Sequence, residues 1–194
     1  MLDTQIAGYD FGGVPPSPVT MEDLRRLEAA LEFTARDREA LRRSSEVIAS
    51  HAEELVDGWR AIIGAHDFLS HWFVGPDGKP DDAYKAAVKK RFVRWVVDLV
   101  TRPFDQAWLD YQQEIGLRHT PAKKNKTDGA ATPPLVPLRY LQAFIAPVTL
   151  SVRPLLGRAG FNAEEVDLIH AAWTKAVILS VTLWSAPYVR DGLW

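Results

Sequence analysis

Apolar residues recur along this chain at spacings of three and four, the period of an α-helix, and no stretch alternates in the two-residue rhythm of a strand. Thr20 stands before MEDLRRLEAALEF with acidic residues in its first turn, which predicts a capped helix, and helical patterning continues from Asp37 to Ala49. From Ser45 to about Gly64 the residues Ile48, Ala52, Leu55, Trp59 and Ile62 share one face. GPDGKP interrupts the chain, after which Tyr84, Val88, Phe92, Trp95 and Leu99 repeat the stripe until Arg102-Pro103 stops it. A third helix is expected from near Asp105, with Phe104, Trp108, Tyr111, Ile115 and His119 as its stripe. At about 100° per residue these five fall within an arc of about 60°, so His119 is predicted to face the interior from the end of that helix.

Gly116 lies one turn before His119 on the same side, where a missing side chain would let a flat group approach the backbone; relaxation near the helix end is the alternative. Residues 121–137, with KKNKTDG and then PP, read as a loop. Leu138 to Arg158 carries Leu141, Phe144, Val148, Val152 and Leu155 on one face, with bends expected at Pro147 and Pro154. Asn162 caps AEEVDLIHAAWTKAVILSVTLWSA, apolar nearly all round at its centre and therefore expected between layers or subunits. The first nineteen residues, rich in Gly and Pro, predict an irregular arm that packs through Tyr9 and Phe11. The organisation is thus all-α, one domain over residues 1–194, with an arm over 1–19 and a helical body over 20–194.

Composition agrees with one domain: 194 residues, 47% hydrophobic and 25% charged, suffice for a sizeable core. A formal charge of −2 offers no long-range field for nucleic acid or an anionic membrane. The absence of cysteine excludes disulfides, thiolate metal sites, Fe–S clusters and cysteine nucleophiles. MLDTQIAGYDFGG has no basic n-region or apolar run, and no uninterrupted apolar segment reads as long enough to span a bilayer, which points to the cytoplasm.

Signature motifs for phosphate cradles, dinucleotides, esterases and zincins are missing. His66 and His71 are five apart, a poor helical bidentate spacing, and His51 and His170 stand alone; surface or packing roles are favoured for all four. The pairs Glu53-Glu54, Asp81-Asp82 and Glu164-Glu165 fit solvation and helix-dipole roles better than an acid–base dyad. What remains is one inward histidine among Trp59, Phe92 and Phe144. That set suits a large planar apolar cofactor held by a single axial histidine, as in haem proteins, while an aromatic stripe that merely packs a core stays open on spacing alone.

The segments FDQAWLDYQQEIGLRH, KKRFVRWVVDL, LRYLQAFIAPVT and LWSAPYV, with the opening GYDFG, resemble the protoglobins, single-domain globins related to the haem domains of globin-coupled sensors. The resemblance runs over essentially the whole chain. It implies an extended globin fold in which an added N-terminal helix and arm help to enclose haem b, with small gases such as O2, CO and NO coordinated reversibly at the iron. Carried over by position, His119 matches the proximal iron ligand, Trp59 lines the distal side, Phe92 and Phe144 flank the ligand pocket, Val148 lines it further in, and Arg91 partners a haem propionate. Tyr111, Ile115 and Gly116 complete the expected cofactor contacts on the His119 helix.

Two departures stand out. Arg60 replaces the tyrosine that usually follows the distal tryptophan, and Thr120 replaces a second histidine often found after the proximal one. Arg60 is expected to point outward, leaving a ligand without the family's hydroxyl donor; an inward pose would supply a charged donor instead. Val88, one turn before Phe92, leaves no distal histidine of the myoglobin kind. The rival functions are haem-based enzymology (peroxidase, NO or nitrite chemistry, carbene transfer) and gas sensing through a partner in trans, since no output domain follows before Trp194. A homodimer built from the last two helices is expected from the apolar run AVILSVTLW.

Overall fold

A computed structural model describes residues 6–190 and 192–194; the first five residues of the arm lie outside it. Ten α-helices follow in order: α1 (Met21–Ala30), α2 (Ala35–Ser50), α3 (Ala52–Gly64), α4 (Asp67–Ser70), α5 (Asp82–Thr101), α6 (Gln106–Leu117), α7 (Leu138–Ala143), α8 (Ile145–Leu150), α9 (Val152–Arg158) and α10 (Ala163–Ser185). Two short 3-10 turns, His71–Phe73 and Ala186–Tyr188, complete the set, and no β-strand occurs among the described residues.

Local chemistry explains the boundaries. Thr20 and Asn162 form capping boxes with Asp23 and Glu165, each satisfying first-turn N–H groups, and Asp81 and Asp105 cap α5 and α6 through their carboxylates. The predicted continuous run from Ser45 to Gly64 is interrupted at His51, and Ile62 at its far end is 39% exposed rather than buried. The single bent helix expected over 138–158 is three short helices. Its breaks fall at Phe144 and Ser151, each three residues before a proline, where Pro147 and Pro154 remove the N–H groups that would have bonded Ala143 and Leu150.

α10 is the central element, with eleven buried residues including Trp173, Leu179, Leu183 and Trp184. By length and composition the stretch Ala163–Tyr188 could cross a bilayer, contrary to the sequence expectation; 56% of its most apolar window is buried inside the chain, as in a core helix. α2, α6 and α8 pack on it, and α5 packs across α2 and α3.

The arm closes one side. Tyr9 Oη donates to Asp98 Oδ2 at 2.6 Å, the Tyr9, Phe11 and Tyr111 rings cluster, and the Arg102 guanidinium lies 3.8 Å from the Phe11 centroid. Gly8, at φ +74°, brings the arm so close to α5 that an added Cβ would sit 2.8 Å from an Arg91 guanidinium nitrogen.

Candidate functional site

A cavity of about 580 Å³ opens among α3, α5, α6, α8 and α10, within the size range of cofactor sites. Its walls are mainly apolar. Val88, Phe92 and Trp95 enter from α5, Tyr111 and Ile115 from α6, and Phe144 and Val148 from the proline-broken region. The expected stripes on α5 and α6 therefore do turn to a common space, while Leu99 and Trp108 continue past it into the core.

His119 lies on the cavity wall, but not on a helix. α6 ends at Leu117 and Arg118 is its C-cap, so the histidine belongs to the turn that follows. Its inward direction survives because its backbone N–H bonds the Gly116 carbonyl at 3.0 Å, continuing the helical winding for one tighter step. The ring Nδ1 lies 2.8 Å from the Ile115 carbonyl oxygen. A carbonyl can only accept, so Nδ1 carries the proton and donates it, and Nε2 is left with its lone pair and no protein partner among the described residues. Burial first, and the charges of Lys124 and Arg118 after it, push the ring down to about 4, which keeps it neutral near pH 7.

Packing locks this ring. Trp184 stacks on it at 5.8 Å and 23°, and the indole N–H of Trp184 is itself tied to Gln112 Oε1 at 2.9 Å. The His119 carbonyl accepts from Val136 N at 2.9 Å and Tyr188 Oη at 3.2 Å, so the loop after the histidine returns to it and the chain's last turn holds it in place. A half-buried imidazole with one nitrogen fixed by a carbonyl and the other free is the arrangement of a histidine metal ligand.

Of the other expected positions, Trp59 and Gly116 lie off the cavity wall, and Arg91 and Arg60 lie on it. Trp59 does not reach the cavity wall: it is 1% exposed, donates from Nε1 to Ser151 Oγ at 2.8 Å, and stands behind Phe92 at a ring distance of 5.2 Å. Gly116 faces away from the cavity; a Cβ there would meet Trp184 Cα and O at 3.0 Å and Pro187 at 3.2 Å, so it serves the approach of α6 to α10 rather than of a flat ligand. Arg91 does line the cavity, but its guanidinium is held by Asp128 at 2.9 and 2.5 Å and by the Ala7 carbonyl at 2.9 Å. Arg60 also lines the cavity with its side chain 30% exposed, 3.6 Å from the outer carboxylate of Asp57.

Sequence reasoning missed the floor supplied by α10, where Val177, Val181 and Trp184 line the cavity. It also missed Trp72, Tyr84's place at the wall and the buried Lys124. Trp184 was visible only within the apolar final helix and the segment LWSAPYV, with no role at the cavity. Among the described residues no group of three or more His, Cys, Asp or Glu side chains could hold a metal ion, so the donor set is one imidazole within an apolar wall. Such a set fits a metal that arrives inside an organic macrocycle.

Comparison with known proteins agrees. The globin domain of the Geobacter sulfurreducens globin-coupled sensor superposes with a TM-score of 0.68 at 17% identity, covering 86% of this chain and 97% of that one. The globin domain of E. coli DosC, in its ferric form I, gives 0.61 at 10% identity, covering 84% and 97%. Identities this low show the fold alone, an all-helical globin. No curated protein matches the chain by sequence. A family model of the protoglobins, however, matches residues 20–194, and globin membership carries with it a haem cofactor and small gaseous ligands. The chain belongs to the protoglobin family.

Proposed function

We propose that this protein holds haem b in the cavity through His119 and reversibly binds O2, CO or NO. The observation that carries this reading is the His119 ring, neutral and oriented by Ile115, with Nε2 bonded to no described protein group at the wall of an apolar cavity of about 580 Å³. When bound, haem would supply the iron that takes up the gas, and His119 would be the residue that holds it. The protein's part is positional. The Nδ1–H bond to Ile115 raises the electron density at Nε2 and, with the Trp184 stack, keeps the ring from rotating, Tyr188 holds the backbone of the same residue, and Phe92, Phe144, Ile145 and Val148 exclude water. The decisive measurement is an absorption spectrum of the purified chain, reduced and then exposed to CO. No Soret band after reconstitution with haem would end this reading.

Arg60 leaves the bound ligand without a polar partner. Its guanidinium sits near exposed Asp57, so it offers no donor deep in the pocket, and the tyrosine usual at this position is absent. Arg60→Leu is therefore expected to leave O2 release nearly unchanged in stopped-flow measurements. Arg60→Tyr should slow it several-fold, the effect of one neutral hydrogen bond of about 0.5–1.5 kcal/mol. A tenfold or greater acceleration in Arg60→Leu would put the guanidinium over the ligand instead.

The same reading includes a two-fold dimer through the outer side of the last helices. α10 is largely covered by its own chain, but Ala171 is exposed, Ile178 is half-buried, and Leu150 on α8 is 64% exposed. Sedimentation at micromolar concentration is expected to give twice the chain mass of 21.7 kDa, and a monomer rejects the dimer.

A further inference from the structure

Lys124 is only 3% exposed, yet it forms no ion pair with any described carboxylate. Its Nζ donates to the Trp72 carbonyl at 2.8 Å and to Thr132 Oγ1 at 2.7 Å, which accounts for two of the three N–H groups of an ammonium. The Tyr84 ring, 5.0 Å away, adds a cation–π contact but no counter-charge. Asp128, four residues on, is already paired with Arg91. Burial accordingly pulls the lysine down to about 8.

A buried cation without an anion is costly, and proteins rarely carry one unless something else supplies the charge. Lys124 lines the cavity. So do Trp72 and Trp95, whose indole N–H groups are buried and unpaired. An apolar cavity with one uncompensated cation and spare N–H donors matches a ligand that is apolar over its faces and anionic at an edge. We propose that Lys124 is the carboxylate anchor of this cavity, receiving one haem propionate through its third N–H, with the Trp72 indole N–H as a further donor on the same wall. This inference rests on the haem reading above, and it transfers to Lys124 the part expected of Arg91, whose guanidinium is already neutralised by Asp128.

The test changes the ligand as well as the protein. The full chain is reconstituted with haem b and with its dimethyl ester, which lacks the two carboxylates, and haem loss to an excess of a haem-scavenging protein is followed by absorbance. The natural protein is expected to lose the ester on the order of tenfold faster or more, the size of one charge-assisted contact. Lys124→Met should lose haem b about as fast as the natural protein loses the ester, with little further effect of esterification. Lys124→Arg, which keeps the cation, should retain most of the difference. An esterification effect undiminished in Lys124→Met overturns the assignment, as does a natural protein that holds both forms equally while showing a normal Soret band. Absence of a Soret band with either form sinks the haem reading and this inference together.

Discussion

His119→Ala is expected to abolish the histidine-ligated spectrum while leaving a folded, all-helical protein. The imidazole contributes no buried contact that the fold depends on beyond its stacking with Trp184 and its bond to Ile115, and the backbone groups of residue 119 still hold Val136 and Tyr188. No other histidine can replace it. His66 and His71 are exposed, while the rings of His51 and His170 bond the carbonyls of Val47 and Thr149 at 2.9 and 3.1 Å away from the cavity. Added imidazole should restore a ring-nitrogen lone pair at the vacated position and with it the natural absorption spectrum. A His119→Ala protein that keeps a normal histidine-bound spectrum without imidazole would falsify the ligand assignment. A pH limb accompanies this result in the apoprotein. With the ring near 4 when folded and about 6.5 when unfolded, the unfolded chain binds more protons between those values, so stability is full above 6.5 and is lost as pH falls toward 4. Urea unfolding should show this loss, about 3 kcal/mol at most, and His119→Ala should lack that share of it.

How far the site could be read in advance depends on what periodicity encodes. A repeat of three and four separates the inner from the outer face of a helix, and on α5 the residues it turned inward include Val88, Phe92 and Trp95, which line the cavity. It does not separate the first layer of an interior from the second, which is why Trp59 was expected at the wall and stands behind Phe92. A helical glycine announces a close approach without saying by what. At Gly116 the approaching group is the backbone of α10, sixty-eight residues away in sequence, as the short distance to Trp184 shows. Lys124 was the least legible of all. A charge in an aperiodic loop has no predicted direction, and its burial follows from contacts made after folding, among them the Asn125–Thr132 bonds and the pairing of Asp128 with Arg91. The proline-driven breaks at Phe144 and Ser151 lay between these extremes: the bends were visible, and their sharpness came from two lost carbonyl partners spaced seven residues apart.

Gly116→Val is expected to destabilise the protein by about 2–3 kcal/mol and to disturb the His119 signature at the same time. A Cβ at residue 116 would lie 3.0 Å from both Cα and O of Trp184, and neither backbone atom can swing aside as a flexible side-chain tip can. α6 and α10 must separate, and a branched side chain requires more separation than a methyl group. Gly116→Ala sets the helix-propensity gain of about 1 kcal/mol against the same clash, so its net loss should be smaller. Gly58 provides the control, because it lies within α3 with nothing inside 4 Å of a built Cβ. Gly58→Ala should stabilise by about 0.5–1 kcal/mol, raising the melting temperature by about 1–4 °C, whereas Gly116→Val should lower it by about 4–10 °C. Position 116 also reports on the site. The His119 backbone N–H bonds the Gly116 carbonyl, and the Trp184 ring against which His119 stacks belongs to the residue that would be displaced. A shift of α6 against α10 therefore tilts the imidazole, and the iron–histidine stretching band in resonance Raman spectra should move in Gly116→Val but not in Gly58→Ala. A Gly116→Val protein with natural stability and an unmoved band would show that the α6–α10 contact neither limits packing nor positions His119.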